Sequence, residues 1–248
     1  MRAPRLRFAL PFVAVMLFVA ATVLILSQIQ TQTGPQSIHV DLSAPPAPVI
    51  PPAANPIIRI AVAPVWSPER TYRYYDGLAE YIGWRSHRSV RILQRHTYAE
   101  VNGLLRDGTA QAGIVCTGTY LAARREGDPM DVVAVPLHEG QPHYYSLLLT
   151  RADSPYATLD DLEGRSFGFT DPLSLSGHYY PLSMLIEVHE DPRTYFSDTV
   201  YTHNHDASMR AVRDGIVDAA AVDSVVDEHE VERNSAWEDS LRVIHRSP

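Results

Sequence analysis

Two stretches of this chain share one design, and that design narrows what it can fold into. Arg106-Asp107-Gly108 is followed by Ala112-Gly113-Ile114-Val115, and Arg213-Asp214-Gly215 is followed by Ala219-Ala220-Ala221-Val222. Each copy reads as the end of a helix, a glycine stop and a small-residue strand. Each strand also runs into a polar residue, Thr117 in the first copy and Asp223 in the second. Two βαβ lobes of one design imply a cleft between them, because ligands of open α/β sheets gather at the carboxyl ends of the strands.

The rest of the chain alternates in the same way. Ile57 to Val65 is a β-branched run suited to a buried strand. Ser67 followed by Pro68 marks a helix start, continued at helical spacing by Tyr74, Leu78, Tyr81 and Ile82. Val90 to Gln94 predicts a second strand. Thr97 and Glu100 then form a capping box ahead of the stripe Val101, Leu104, Leu105, which Gly108 ends. Cys116-Thr117-Gly118-Thr119-Tyr120 follows the next strand at its carboxyl end. Val132 to Val135 and Tyr144 to Thr150 predict two more strands, the second long enough to pass from one lobe towards the other. Thr158 to Gly164 predicts a short capped helix, Ser166 to Phe169 opens a second sheet, Thr199 to Thr202 reads as a strand, and Asp206 as the cap of a helix over 207–214. Strands alternating with helices predict parallel pairing in an α/β fold.

Thr170 to Ser183, TDPLSLSGHYYPLS, joins Ser166–Phe169 to a helical pattern that runs to about Val188. Ser174, Ser176 and Gly177 fall where that helix begins. Free backbone N–H groups, two hydroxyls and the positive end of a helix dipole converge there, an arrangement that receives an anion. The purely structural alternative is that Ser176 is an N-cap.

The chain of 248 residues carries a formal net charge of −8, with Lys and Arg scattered, which excludes nucleic acid as a partner. A bound anion must therefore be held by local donors in a shaped pocket. Phe8 to Leu26 is an uncharged apolar run behind Arg2, Arg5 and Arg7; at helical rise it spans about 28 Å, enough to cross a bilayer. It lacks a small-x-small cleavage site, so an uncleaved transmembrane anchor is expected, with the arginines cytoplasmic and the rest outside. Gln30 to Pro56, rich in proline, reads as an extended tether. The organisation expected is 1–29 cytoplasmic arginines plus transmembrane anchor or signal segment, 30–56 tether, 57–150 first lobe and 151–248 second lobe. Cys116, alone, closes no internal disulfide and reads as a small buried hydrophobe.

From about Ile58 to Pro248 the chain resembles the phosphate/phosphite/phosphonate substrate-binding proteins of ABC transporters. Arg59–Pro68 (RIAVAPVWSP), Thr97–Gly118, Phe169–Pro181 (FTDPLSLSGHYYP) and His203–Val222 carry the resemblance, and D-P-x-S-x-S-G-x-x-x-P is the most diagnostic part. It implies a two-lobed periplasmic-binding fold of type II and a tetrahedral oxyanion between the lobes. Carried over by position, Ser174, Ser176 and Gly177 supply donors at the helix start, Tyr98 and Thr117 reach in from the first lobe, and His205 from the second. Neutral donors satisfy such an anion without burying several lysines, and His205 adds charge if protonated. Asp223 is by itself a helix cap; near an anion it accepts from a protonated oxygen or a ligand amine. The resemblance further implies an ABC permease as partner, a monomer on the periplasmic side of the inner membrane, and neither cofactor nor metal. Family members continue past the segment matching Arg242–Pro248 to complete the first lobe, so a truncated C-terminus is expected. Where aminoalkylphosphonate-selective members place a carboxylate this chain has Val225, which favours a small oxyanion or an unspecialised phosphonate.

Other readings compete. A membrane-tethered sensory domain for the same ligand class is one. A hydrolase using Ser176 with His205 is another, but no G-x-S-x-G elbow occurs, so no enzyme is expected. His203 and His205, two apart on a strand edge, share a face and with Asp206 or His178 form a minority metal candidate. Asp227, Glu228, Glu230 and Glu232 read as a solvated helix face, and Trp66 and Trp84 as core.

Overall fold

The structure, a computed structural model, describes residues 56–128 and 130–248. The expected anchor over Phe8–Leu26 and the tether lie outside the described residues. Among those described, no helix is long and apolar enough to cross a membrane.

The first sheet has three parallel strands in the order β2-β1-β3: β1 is Ile58–Val62, β2 Val90–Gln94 and β3 Ala112–Ile114. Helices α1 (Pro68–Ser86) and α2 (Tyr98–Arg106) connect them, and α3 (Thr117–Glu126) follows β3. The capping box forms as the sequence predicts: Glu100 N–H donates to Thr97 Oγ1 at 3.2 Å, and Thr97 N–H to Glu100 Oε2 at 2.9 Å. Both glycine stops form too, with Gly108 at φ 71° and Gly215 at φ 68°, a left-handed backbone that glycine adopts without a Cβ clash.

The second sheet has five strands in the order β6-β5-β7-β4-β8: β4 is Ser146–Arg151, β5 Ser166–Phe169, β6 Asp198–Tyr201, β7 Ala219–Asp223 and β8 Leu241–Arg246. β5 pairs in parallel with β6 and β7, as alternation predicts, whereas β4 and β8 run antiparallel. β4 departs because the chain enters it from the first lobe, at the end of the sheet where β7 finishes: Ser146 pairs with Asp223. Helices α4 (Tyr180–Glu187), α5 (His205–Arg213), α6 (Ser224–Arg233) and α7 (Ala236–Ser240) belong with this sheet.

Strand periodicity sends alternate residues to two cores. Leu147, Leu149, Ala220 and Val222 pack with Met209, Val212 and Trp237 on one face, while Leu148, Ala219 and Ala221 pack with Leu162, Phe167 and Leu185 on the other. Burying each leucine stabilises the fold by about 1.5–3 kcal/mol relative to exposure. A smaller core of Ala61, Val101, Leu104 and Ala110 supports the first sheet.

Several expectations need correction. Val132 to Val135 is not a strand, because no described strand pairs with it, and Val133 is 93% exposed. Asp206 does not cap α5; Asn204 does, accepting from Ala207 N–H at 2.9 Å. Trp66 is core as expected, but Trp84 on α1 is exposed. Glu230 belongs to no solvated face: it is buried, since it reaches back to pair with Arg70 of α1. Cys116 is half-buried rather than core, with Sγ 3.2 Å from Thr119 Oγ1.

Candidate functional site

The loop after β5 is built by its own polar groups. Leu173 N–H donates to Asp171 Oδ1 at 2.9 Å, and Thr170 N–H to the Gly177 carbonyl at 3.0 Å. Ser174, not Ser176, is the N-cap: its Oγ accepts Gly177 N–H at 3.0 Å. The first turn, Leu175–Tyr179, is a wide π-type turn that continues as α4. Gly177 has no room for a side chain, since a Cβ there would lie less than 3.0 Å from Thr170. The N–H groups of Leu175 and Ser176, first in the helix, receive no intrahelical acceptor. Ser176 is a buried residue held by its carbonyl, which accepts from Ser146 Oγ at 2.6 Å.

His205 opens α5 beneath this loop. Asp223 N–H donates to its Nδ1 at 3.1 Å, and Thr170 Oγ1 lies 3.1 Å from the same nitrogen. Nδ1 is thus an acceptor, and the ring proton sits on Nε2, available to donate. Burial pushes the imidazole down to about 3, against the pull of Asp206, so His205 is neutral and adds no charge at ordinary pH. Asp223 caps α6, its Oδ1 accepting Val225 N–H at 2.8 Å. Burial pushes its carboxyl up to about 7, opposed by the N–H groups of Val225 and Val226.

The first lobe brings two phenols. Tyr98 begins α2 and is fully buried, and its hydroxyl has no hydrogen-bond partner among the described residues. Burial pushes its pKa well above the ordinary tyrosine value, with Cys116, Asp171, Asp223 and Tyr144 adding to the effect. The Tyr144 hydroxyl is likewise buried, and burial raises its pKa against the pull of the Thr117 side chain and backbone beside it. Leaving the Tyr98 hydroxyl unsatisfied costs about 1–3 kcal/mol.

The lobes meet directly around these groups. Asp171 Oδ2 accepts the first N–H of α2, from Tyr98, at 3.2 Å. Cys116 Sγ lies 3.7 Å from the Leu173 carbonyl, and a Cβ on Gly118 would come less than 3.0 Å from Leu173 O and Leu175 N. On the other side His205 N–H donates to the Val65 carbonyl at 3.0 Å, and Trp66 enters the core of the second lobe.

Of the residues singled out in the sequence, Tyr98, Ser174, Ser176, Gly177, His205 and Asp223 are all buried at this junction, and Thr117 stands exposed as the first residue of α3. Gly177 spends its N–H on Ser174. His203 and His205 do not share a face: β6 ends at Tyr201, the His203 ring packs tilted against His96 at 4.2 Å, and His205 turns inward. Among the described residues no cluster of three metal-ligating side chains occurs. Sequence reasoning missed Asp171, although it sits inside the diagnostic loop, and Tyr144, which stands just before β4 where the chain leaves the first lobe. It also missed Tyr75, raised in its titration by burial, by Tyr74 and by Asp223.

Residues 60–248 match the family model described as ABC transporter, phosphonate, periplasmic substrate-binding protein. The chain is 26% identical over 200 residues to the phosphate-import protein PhnD of Mycolicibacterium smegmatis, an alignment that covers 77% of this chain and 62% of that one. The chain thus spans less than two thirds of this relative's length. A binding-protein component of an ABC phosphonate transporter from Pseudomonas aeruginosa superposes with TM-score 0.74 at 21% identity, covering 79% of this chain and 66% of that one. PhnD1 of Prochlorococcus marinus, solved with methylphosphonate, superposes with TM-score 0.69 at 14% identity, covering 77% and 72%. These superpositions establish the two-lobed α/β fold.

Proposed function

The chain belongs to the periplasmic substrate-binding proteins of phosphonate ABC transporters, and from that premise we propose that it captures a small phosphorus oxyanion between its lobes and hands it to a permease. The observation that carries this reading is the buried Tyr98 hydroxyl, without a hydrogen-bond partner among the described residues, on a residue whose backbone N–H is tied to Asp171 of the loop that leads into the Ser174–Gly177 turn. The guest's oxygens take the N–H groups of Leu175 and Ser176, the Ser176 hydroxyl, the two phenols and His205 Nε2–H. All are neutral donors, so no buried cation has to be desolvated, and in a site closed to water each bond to the anion is worth about twice a neutral one.

Asp223 sets the protonation state the site accepts. As a neutral carboxyl it donates to the anion; as a carboxylate it accepts from a protonated ligand oxygen. No reaction is required of these groups, and Ser176 has no base beside it, because His205 Nδ1 is taken up by Asp223 N–H and Thr170. The run Phe8–Leu26 holds the protein at the outer face of the inner membrane. Recovery of the whole chain in the soluble periplasmic fraction would remove that part of the reading.

Calorimetry of the full chain against methylphosphonate, phosphite and phosphate tests the capture. One-to-one binding of at least one of them is expected. Absence of heat with all three, in a protein shown to be folded by circular dichroism, would overturn the proposal.

A further inference from the structure

A cavity of about 200 Å³, to whose lining neither Tyr98 nor Ser176 belongs, opens between α1 and α6. Its lining is Trp66, Arg70, Arg73, Tyr74, His229 and Arg233. The three rings form one aromatic wall: Trp66 and Tyr74 lie nearly parallel at 6.0 Å, and His229 meets both edge-on at 5.0 and 5.9 Å. Tyr74 is half-exposed, so the wall has a face left for a guest.

Three guanidiniums crowd this wall in a chain whose net charge is −8. Arg70 is committed to Glu230 and, at 3.8 Å, to Asp206. Arg73 has only Glu69, at 2.9 Å and exposed on both sides, a pair worth little in water. Arg233 makes no ion pair among the described residues. The crowding leaves a signature in the titration of its neighbours. Arg70 is lowered by burial, against the pull of Asp206, and further by Arg210 and Arg233, and His229 is lowered by burial, then by Arg233, against the pull of Glu232. Arg73 and Arg233 are both exposed at this wall, so their guanidiniums can meet an arriving anion.

We infer that this cavity is a second binding site, for a small organic anion whose flat apolar part lies on Tyr74 and His229 and whose oxyanion head meets Arg73 and Arg233. A bare inorganic anion leaves the aromatic wall unused, and a neutral ring leaves the guanidiniums unused. Guanidinium forks match a carboxylate, and aromatic faces suit a planar ring, so an aromatic carboxylate uses both halves. Because Trp66, Arg70, Arg73 and Tyr74 come from the first lobe's chain and His229 and Arg233 from the second, a guest here touches both lobes at once.

Benzoate serves as the probe, with benzamide as its uncharged counterpart, titrated against the full chain while following tryptophan emission, which Trp66 reports. Saturable quenching by benzoate is expected, with benzamide about tenfold weaker and both Arg233→Gln and Arg73→Gln about fivefold weaker. Ser176→Ala should leave the benzoate midpoint in place. The site is refuted by the absence of a saturable response, by benzamide matching benzoate, by an unchanged midpoint in both arginine variants, or by a loss in Ser176→Ala that puts benzoate in the oxyanion cleft. Both arginines are exposed enough that their replacement does not threaten folding. The test is independent of the oxyanion reading, since benzoate and phosphonate binding are scored separately.

Discussion

Asp206 Oδ1 accepts the backbone N–H of Ser67 at 2.8 Å, a hydrogen bond that joins the second lobe to the helix start of the first. The same carboxylate, fully buried, binds Arg210 at 2.8 Å through Oδ2. Asp171 repeats the arrangement at the start of α2 through Tyr98 N–H. In both cases a carboxylate of one lobe fills the anion-favouring end of a helix of the other.

Asp206→Ala should therefore destabilise the protein by about 2–3 kcal/mol. Removing one partner of a buried pair leaves the other unbalanced, and the loss stays modest because Arg70 and Arg210 reach solvent. Urea denaturation checks this, with the exposed Arg73→Ala as reference, expected within about 0.5 kcal/mol of wild type. Equal midpoints for the two variants would deny Asp206 its bridging role.

Ser174 and Ser176 sit two residues apart and should respond in opposite ways. Ser174→Ala removes the cap on Gly177 N–H and costs about 1 kcal/mol of stability. Ser176→Ala leaves in place the carbonyl that accepts from Ser146 Oγ. Stability should hold within about 0.5 kcal/mol while oxyanion binding weakens by about 1–3 kcal/mol. Thermal melts paired with calorimetry separate the two, and a stability loss confined to Ser176→Ala would reverse the assignment.

Much of this was legible from the chain alone, for local reasons. The glycine stops, the Thr97–Glu100 box and the loop from Thr170 follow from short-range chemistry, and all appear where the sequence puts them. What was not legible depends on pairings remote in sequence. Val132 to Val135 has the composition of a strand, but a strand exists only if another lies beside it. Glu230 looks like one carboxylate among four until Arg70 reaches it from a helix some 160 residues earlier in the chain. His203 and His205 lose their shared face because β6 ends before them and His203 takes a left-handed backbone, φ 70°.

Tyr98→Phe offers a test with two readouts of opposite sign. The hydroxyl is buried without a partner among the described residues, so its removal should raise stability by up to about 1 kcal/mol, the reverse of the usual core substitution. If the phenol binds the guest, the same change weakens oxyanion affinity by about 1–3 kcal/mol. A variant that gains stability and keeps full affinity would take Tyr98 out of the site.

His205 predicts a specific acid sensitivity. Its folded value, about 3, lies below the unfolded value of about 6.5, so the neutral ring stabilises the fold fully above about pH 6.5. As pH falls from there towards about 3 the unfolded chain takes up the proton first, and stability drops by up to about 1.4 kcal/mol per pH unit. Asp223, raised to about 7, contributes a slope of opposite sign between about pH 4 and about pH 7, so the quantity to measure is the difference between wild type and His205→Gln. That difference should shrink as the solution is acidified; a constant gap across the range would show that the ring is not buried neutral.

If Asp223 meets the captured anion, it sets the pH dependence of binding. Its carboxyl titrates near about 7 because it is buried at the end of β7, held by Val225 N–H at 2.8 Å. Below that value it is neutral and donates to the anion; above it a carboxylate faces the guest and repels a fully ionised phosphonate. Wild-type affinity for methylphosphonate should thus fall as pH rises through about 7, more steeply than the ligand's own ionisation requires. Asp223→Asn keeps the helix cap, since asparagine caps as well as aspartate, and keeps a donor at every pH. Its affinity should match wild type within about threefold below pH 7 and exceed it increasingly above. Calorimetry of both proteins with the same ligand cancels the ligand's titration, and parallel profiles on the two sides of neutrality would place the Asp223 side chain outside the reach of the bound anion.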